Sequence, residues 1–346
     1  MAEALDTPTT ATGDAVEVDT TIATRRQLIT AVVFVAAVLV FVPIIFGSFW
    51  LQVMTSVVIY SIVTLALGVL VGRTGMVSLS QFVLIAIGAW VALRLDYATS
   101  LPFPVLLLIG GVITGVIGTA VGLPALRLSG LHLALITLMA AGGFTLVIRQ
   151  INFPNGGSGF WGNSASGGAT SVLDRPVIAE GDVAYFRYAL VVTVLMFALV
   201  IWHTTGKPGR AWAALRQSQV TAAAAGVNTT FYRLWAFALA SFMTGIAGGL
   251  LAGAAGGVAI PQFQVVNNVT LLAVVLMGGV YRIWGAVVGA ALLRLLPALL
   301  DDWGVPTEVL QILFGIGVIQ VLLTAPGGLV EQFPKDMANL GRLILR

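Results

Sequence analysis

Cysteine is absent from this chain of 346 residues, and histidine occurs only twice, at His132 and His203. Without cysteine the chain has no thiol nucleophile, no disulfide and no cysteine-ligated zinc or iron–sulfur site. Two histidines far apart in sequence leave few side chains from which a metal centre is built. These shortages exclude several large classes of enzyme and predict no metal site.

Charged residues are also scarce. They make up 9% of the chain, whereas soluble proteins contain about 25%. Hydrophobic residues make up 58%, and the mean hydropathy is +1.01. Several apolar runs are long enough to cross a bilayer, and burying so much apolar surface requires lipid. The composition therefore excludes a soluble enzyme and a nucleic-acid-binding module, and it predicts an all-α integral membrane protein.

Ten apolar segments are predicted to be membrane helices, each bounded by turn residues or charges. They lie at about residues 28–46, 51–71, 77–95, 103–121, 131–148, 186–202, 234–252, 269–279, 286–300 and 309–324. The eighth and ninth are short and are separated by Gly278, Gly279 and a turn with Arg282. That pattern is typical of broken or re-entrant helices.

Glycine pairs four residues apart occur within these segments, and such pairs let helix backbones approach closely. Close packing inside one bundle is the simpler interpretation, and contact with a partner subunit or gating is the alternative. The pairs are Gly111 with Gly115, Gly118 with Gly122, Gly245 with Gly249, and Gly285 with Gly289.

The positions of Lys and Arg predict the orientation. With the N-terminus in the cytoplasm, 12 of the 17 basic residues lie on the inner side, as the positive-inside rule requires. The other five are Arg94, Arg149, Arg175, Arg187 and Arg294. An even number of spans then places both termini in the cytoplasm.

Polar segments divide the chain. Residues 1–27 are predicted to be a disordered cytoplasmic tail, 28–330 the transmembrane domain and 331–346 a cytoplasmic C-terminal tail. Within the transmembrane domain, 149–185 is a predicted extracytoplasmic loop, and 203–233 is a predicted cytoplasmic loop.

Nucleotide and catalytic motifs are weak or absent. Gly157, Gly159 and Gly162 spell GxGxxG, but no strand precedes them and the segment faces outward in the predicted topology. The sequence contains no GxxxxGK[ST] phosphate loop, so it cannot hydrolyse ATP by that route. His132 is the only histidine in a predicted span, and no span contains the His and Glu cluster of a metalloprotease.

The cytoplasmic loop contains a further predicted helix. Residues Arg210 to Ala225 are rich in alanine, and Gly226 follows as a typical helix stop. The segment is too polar to span a membrane. Its apolar Trp212 and Leu215, next to Arg210 and Arg216, indicate a helix that lies on lipid headgroups or docks on a partner.

The sequence around this loop resembles branched-chain amino-acid ABC transporter permeases of the LivM and LivH class. The coupling-loop block is GRAWAALRQSQVTAAAAGV at 209–227, and AFALASFMTGIAGGL at 236–250 follows it. Four further blocks agree in order: GRTGMVSLSQFVLIAIGAW at 72–90, GLPALRLSGLHLALITL at 122–138, LMGGVYRIWGAVVGA at 276–290 and TAPGGL at 324–329. The match covers about residues 50–330, and the block at 122–138 favours the LivM side of the family.

The resemblance implies an ABC importer permease in a bacterial inner membrane. In that arrangement the chain pairs with a LivH-like second permease, two cytoplasmic ATPase subunits and an extracytoplasmic solute-binding protein, with lipid around it. ATP and Mg²⁺ belong to the ATPase subunits, and this chain holds no cofactor. The solute is a branched-chain amino acid or a related small polar amide or carboxylate.

The resemblance also implies a set of coupling-loop residues that contact an ATPase. They are Arg210, Trp212, Leu215, Arg216, Gln219, Ala222 and Gly226. The chain departs from the family pattern here, because Gln217, Gln219 and Ala223 stand where family loops carry glutamates. The expected contact is therefore either to a less basic groove or mainly apolar through Trp212 and Leu215.

Polar residues inside the spans are candidates for a solute pathway: Ser78, Ser80, Gln81, Thr137, Thr244, Asn268 and Arg294. Hydrogen bonds between helices are the simpler role for most of them. Arg294 lies near the middle of the ninth predicted span, where family members are usually aliphatic, and an intramembrane arginine is costly. Contact with a substrate carboxylate and snorkelling or partner contact are the two interpretations.

Two other function classes stay open at this point. A self-sufficient secondary transporter or channel fits broken helices at 269–300, although few intramembrane carboxylates are present to relay protons. A membrane enzyme is opposed by the missing catalytic clusters.

Overall fold

A computed structural model describes residues 20–123, 131–150, 173–256 and 263–304, together with 309, 312, 315–317, 319, 328–330 and 332. Within these residues the regular elements are all helices. This confirms the predicted all-α class. Most of the helices are apolar along their whole length, as expected for segments surrounded by lipid and by one another.

Eleven α-helices are described. They are α1 Thr20–Ile45, α2 Ser48–Gly68, α3 Gln81–Ala98, α4 Phe103–Gly122, α5 Leu131–Gln150, α6 Asp182–Thr205, α7 Lys207–Gln217, α8 Gln219–Ala224, α9 Thr229–Ala255, α10 Val265–Gly278 and α11 Ile283–Asp302. A π-helical turn, Val69–Thr74, extends α2, and a short 3-10 helix, Val177–Ala179, precedes α6.

Six of the described helices are long and apolar enough to cross a membrane: α2 with its π-helical turn, α3, α4, α6, α9 and α11. Shorter apolar stretches lie at Val33–Ile45, His132–Val147 and Val265–Gly278. The tenth predicted span, at 309–324, falls largely outside the described residues. The count of ten therefore stays a prediction.

Three predicted boundaries are wrong. Helix α1 begins at Thr20, so residues 20–27 are helical although they were predicted to be disordered. Helix α3 begins at Gln81 rather than 77, because the four preceding residues are not helical. The ninth predicted span is not short, since α11 runs for 20 residues without a break.

Helix α1 belongs to a separate compact unit that ends at Ile45, and the other helices belong to the unit Phe46–Arg346. In that larger unit α9 is the central helix and packs against α2, α3 and α4. Helix α2 also packs against α6 and α11, and α10 pairs with α11.

The glycine pairs lie at these helix contacts. A Cβ atom added to Gly118 would meet Ser241 of α9, and one added to Gly122 would meet Phe237 of α9. One added to Gly285 would meet the backbone of Gly279. The pairs therefore pack within the chain, in agreement with the simpler interpretation of the sequence.

One such contact between backbones joins α3 to α9. A Cβ atom on Gly88 would lie 2.2 Å from the carbonyl oxygen and 2.5 Å from the Cα of Gly245. Because both atoms belong to backbone, the two helices would have to separate to admit a methyl group.

We expect Gly88→Ala to destabilise the protein by about 1–3 kcal/mol and to lower Tm by several degrees in detergent. The matched control is Gly143→Ala in α5, where no atom lies within 4 Å of the added Cβ, and we expect its Tm to stay unchanged or rise slightly. Equal Tm values for the two variants would contradict this packing.

Candidate functional site

The chain leaves helical geometry between α2 and α3. The π-helical turn ends at Gly75, whose φ of 72° lies in the left-handed region that favours glycine. Residues 76–80 are not helical, and α3 begins at Gln81. We call residues 75–80 the break. Backbone polar groups freed at this depth must find partners within the protein.

Side chains from two other helices bind the freed backbone. The Leu79 amide donates to Thr137 Oγ1 of α5 at 2.9 Å, and the Phe82 amide donates to Asn268 Oδ1 of α10 at 2.9 Å. Within the break, the hydroxyls of Ser78 and Ser80 lie 3.0 Å apart. The break is therefore fixed between α5 and α10.

A third helix joins through Gln81. Its Oε1 accepts a hydrogen bond from Thr244 Oγ1 of α9 at 2.8 Å. Six residues that the sequence nominated for a pathway thus meet in one group, which we call the break cluster: Ser78, Ser80, Gln81, Thr137, Thr244 and Asn268. All six are buried.

None of these six residues lines the cavity that lies beside them. Their hydrogen bonds join helices, and joining helices is the simpler of the two predicted roles. Contact between these six residues and a solute stays a prediction.

A cavity of about 720 Å³ lies beside the cluster, with walls from α2, α6, α9, α10 and α11. We call it the Arg294 cavity. Aliphatic side chains such as Leu251, Val269 and Leu293 alternate in its wall with polar ones such as Thr55 and Thr270. Phe82, whose amide is held by Asn268, also lines it. The cavity therefore borders directly on the break.

Arg294 lies in the wall of this cavity. Its guanidinium carbon lies 4.9 Å from the centre of the Tyr60 ring, within the range of a cation–π contact. The Tyr60 and Phe82 rings lie 6.1 Å apart. Arg294 is thus an exposed residue of α11 that lines the cavity and lies against an aromatic ring.

Arg175 contacts two helices in the same cavity wall, α6 and α9. Its NH1 donates to Asp182 Oδ1 at 2.8 Å, and its NH2 donates to the Ala254 carbonyl at 3.0 Å near the end of α9. The guanidinium carbon also lies 4.9 Å from the ring centre of Tyr185. Arg175 therefore fixes the start of α6 against the end of α9.

The predicted loop helix is two helices. Ser218 adopts an extended conformation, which ends α7 at Gln217, and its hydroxyl accepts from the Thr221 amide at 3.3 Å to cap α8. The chain therefore turns within the segment predicted to be one helix. Gly226, with φ of 79°, follows α8 as expected for a helix stop.

Trp212 and Leu215 lie inside this chain rather than on its surface. Trp212 is 0% exposed, and its Nε1 donates to the Tyr232 carbonyl at 2.9 Å. Leu215 is buried beside it. The hypothesis that these two side chains form the apolar contact to a partner is wrong, because α7 uses them to pack on its own bundle.

Arg216 connects α7 to two further places. Its NH1 donates to the Gly72 carbonyl at 2.7 Å, just before the break. Its guanidinium carbon lies 4.4 Å from the ring centre of Tyr281, in the turn between α10 and α11. Gly72 and Val280 are in backbone contact there, since a Cβ on Gly72 would lie 2.2 Å from the Val280 oxygen.

Helix α8 presents the exposed part of the predicted coupling loop. Val220 is 81% exposed, and Gln219, Ala223 and Ala224 are also exposed, whereas Ala222 faces inward. Arg210 of α7 is exposed as well. The accessible surface of this segment is thus mostly small and uncharged.

Sequence reasoning missed the Arg294 cavity, its Tyr60 wall and the Arg175 contacts. Tyr60 carried a signal, since it is a lone phenol within the apolar run of α2. The sequence placed Arg175 only on the outer side of the membrane, and its contact with Asp182 depends on how the chain folds.

Comparison with known proteins identifies relatives of this chain. A family model described as a branched-chain amino acid transport system permease component matches residues 49–322. The high-affinity branched-chain amino acid transport system permease proteins LivM of Salmonella typhimurium and Escherichia coli are each 27% identical, over 303 and 310 residues. Each alignment covers 81% of this chain and 70% of the relative. No solved structure matches significantly.

We expect Asn268→Leu to leave the buried Phe82 amide without an acceptor and to reduce stability by about 1–3 kcal/mol. The measurement is Tm of the purified chain in detergent. Thr270→Val is the control on the same helix, because that hydroxyl bonds only within α10 at 3.4 Å among the described residues. A Tm for Asn268→Leu equal to that of the control would contradict the role of Asn268.

Proposed function

Because this chain belongs to the branched-chain amino acid transport system permease family, we propose that it is the transmembrane permease subunit of an ATP-driven importer. A permease of this family is a transport subunit, and the apolar helices are those of a multi-pass membrane protein. The proposed solute is a branched-chain amino acid or a related small amide or carboxylate.

The Arg294 cavity is the observation that carries this proposal. Its volume of about 720 Å³ lies within the range of about 300–1,000 Å³ for small-molecule sites. The break cluster lies directly beside it and is held by buried hydrogen bonds. In our proposal the cavity receives the solute on the extracytoplasmic side, and the break forms the barrier to the cytoplasm.

The proposed topology places α7 and α8 in the cytoplasm of a bacterial cell, at the inner membrane, with both termini on the same side. The positive-inside distribution supports this orientation. An extracytoplasmic binding protein would then deliver solute to the cavity, and a LivH-like permease would pack beside this chain in the membrane.

The proposed ATPase contact is α8. Its exposed face is small and uncharged around Val220, and the loop 203–233 contains no acidic residue. The chain has no phosphate loop, so we assign ATP and Mg²⁺ to two separate ATPase subunits. A shallow apolar contact replaces the acidic one that family loops usually provide.

Helix α7 is the proposed link between that contact and the pathway. Trp212 fixes α7 to the start of α9, and Arg216 connects it to the end of the π-helical turn and to the α10–α11 turn. Movement of α8 would therefore be transmitted through α7 to the π-helical turn, which precedes the break, and to the α10–α11 turn, which precedes the helix that carries Arg294.

We expect Val220→Asp to reduce recovery of the ATPase with the affinity-tagged chain by about tenfold, because the carboxylate would be buried without a partner. Recovery is measured by mass spectrometry of proteins retained from native membranes in mild detergent. Thr230→Asp, an exposed position at the start of α9, is the control and should keep the ATPase. If the unaltered chain retains no ATPase, the importer proposal fails and a self-sufficient transporter replaces it.

Arg216→Ala should distinguish binding of the ATPase from transmission of its movement through α7. We expect ATPase recovery to stay at the level of the unaltered chain while uptake of radiolabelled L-leucine falls about tenfold, because one charge-assisted hydrogen bond is lost. Lys207→Ala, an exposed cation of the same helix, is the control for uptake. Unchanged uptake by Arg216→Ala would refute the proposed link.

A further inference from the structure

We propose that Arg294 and Tyr60 form a carboxylate subsite in the wall of the Arg294 cavity, which selects solutes that combine a free carboxylate with a small aliphatic group. This inference rests on the proposed transport function and specifies its substrate class.

The charge of the cavity is the first argument. The described charged residues in its lining are Arg175, Asp182 and Arg294. Arg175 and Asp182 neutralise each other at 2.8 Å. Among the residues that the structure describes, no carboxylate lies within ion-pair distance of Arg294. The described lining therefore carries one net positive charge, and a positive cavity wall attracts an anion.

The position of Arg294 is the second argument. It is the twelfth residue of the 20-residue helix α11, far from either end of a membrane span. A cation there is costly in lipid and is typical of a solute pathway. Facing the cavity removes part of that cost, because water and an anionic solute reach the guanidinium there.

The geometry around Arg294 is the third argument. The guanidinium carbon lies over the Tyr60 ring, 4.9 Å from its centre, and Tyr60 itself is buried. An arginine stacked on an aromatic ring still presents its N–H edge, and that edge matches the two oxygens of a carboxylate. The aromatic contact thus orients the donor edge before a solute arrives.

The apolar part of the wall is the fourth argument. Leu251, Val266, Val269 and Leu293 line the cavity. Such side chains favour an aliphatic group on the solute, and they provide no hydrogen-bond acceptor for a cation. A carboxylate with a short aliphatic group matches both parts of the wall.

The absence of cysteine from the chain provides a direct test. Ser56→Cys places a single thiol in the cavity lining, and its rate of maleimide labelling is measured for the full chain in phosphatidylcholine nanodiscs. We expect saturating L-leucine to slow labelling at least about threefold, and L-leucinamide, which lacks the carboxylate, to have no effect.

The same thiol reports on Arg294. In the Ser56→Cys background, Arg294→Leu should weaken the apparent affinity for L-leucine by about 10- to 100-fold, and Arg294→Lys should restore part of it. Arg187→Leu is the matched control, because Arg187 is an exposed arginine of α6 outside the cavity lining, and L-leucine should still protect the thiol. Equal protection with and without Arg294 would overturn the proposal, as would equal protection by leucinamide.

A lipid headgroup is the other source of an anion. Labelling in phosphatidylglycerol nanodiscs without added solute distinguishes the two sources. If labelling of the thiol is slow there, becomes fast in Arg294→Leu and does not change with L-leucine, Arg294 binds lipid. That result would overturn the solute subsite. The importer proposal is tested by a different measurement, the recovery of an ATPase with the unaltered chain. The labelling assay needs no partner subunit, so the two proposals can fail independently.

Discussion

The fold depends on one requirement, that backbone amides and carbonyls inside a lipid bilayer bind partners within the protein. The eleven described α-helices satisfy it through their own backbone hydrogen bonds, but the non-helical segment between α2 and α3 does not. Thr137 and Asn268 provide the missing acceptors from α5 and α10. The positions of two other helices are thereby tied to one non-helical segment, and the cavity beside it takes its shape from the same contacts.

Close packing around α9 makes this arrangement possible. Gly88 and Gly245 bring the backbones of α3 and α9 into contact, and one helical turn away Gly118 of α4 receives Ser241 of α9. Because these contacts leave no room for a methyl group, α3 is held at the depth at which Gln81 meets Thr244. The polar cluster thus depends on the small residues as much as on its own side chains.

Much of this architecture follows from the sequence, and the exceptions have physical causes. Apolar length predicts most of the helices, and glycine spacing predicts their close contacts. Helix propensity over 210–225 did not predict the interruption between α7 and α8, because Ser218 gains more as the cap of α8 than as an interior helix residue. Trp212 was predicted to face lipid headgroups or a partner, since composition cannot distinguish an apolar face that points outward from one that packs inward.

The other features that the sequence did not predict depend on contacts between residues that are far apart in the chain. An intramembrane arginine marked Arg294 as unusual, but its contact with Tyr60 joins residues that are far apart in sequence, from α2 and α11. Six of the seven polar residues nominated for a pathway, all except Arg294, lie together around the break. Their role as hydrogen-bond partners of the break needed the register of α5 and α10, which no single sequence pattern specifies.

The bond from Arg216 to the Gly72 carbonyl has an energetic consequence. That carbonyl lies at the end of a π-helical turn and belongs to a residue that is buried. A buried acceptor that loses its donor costs about 1–3 kcal/mol. Moving α7 away from the bundle without a replacement donor would carry that cost, so this single bond favours one position of α7 over neighbouring ones.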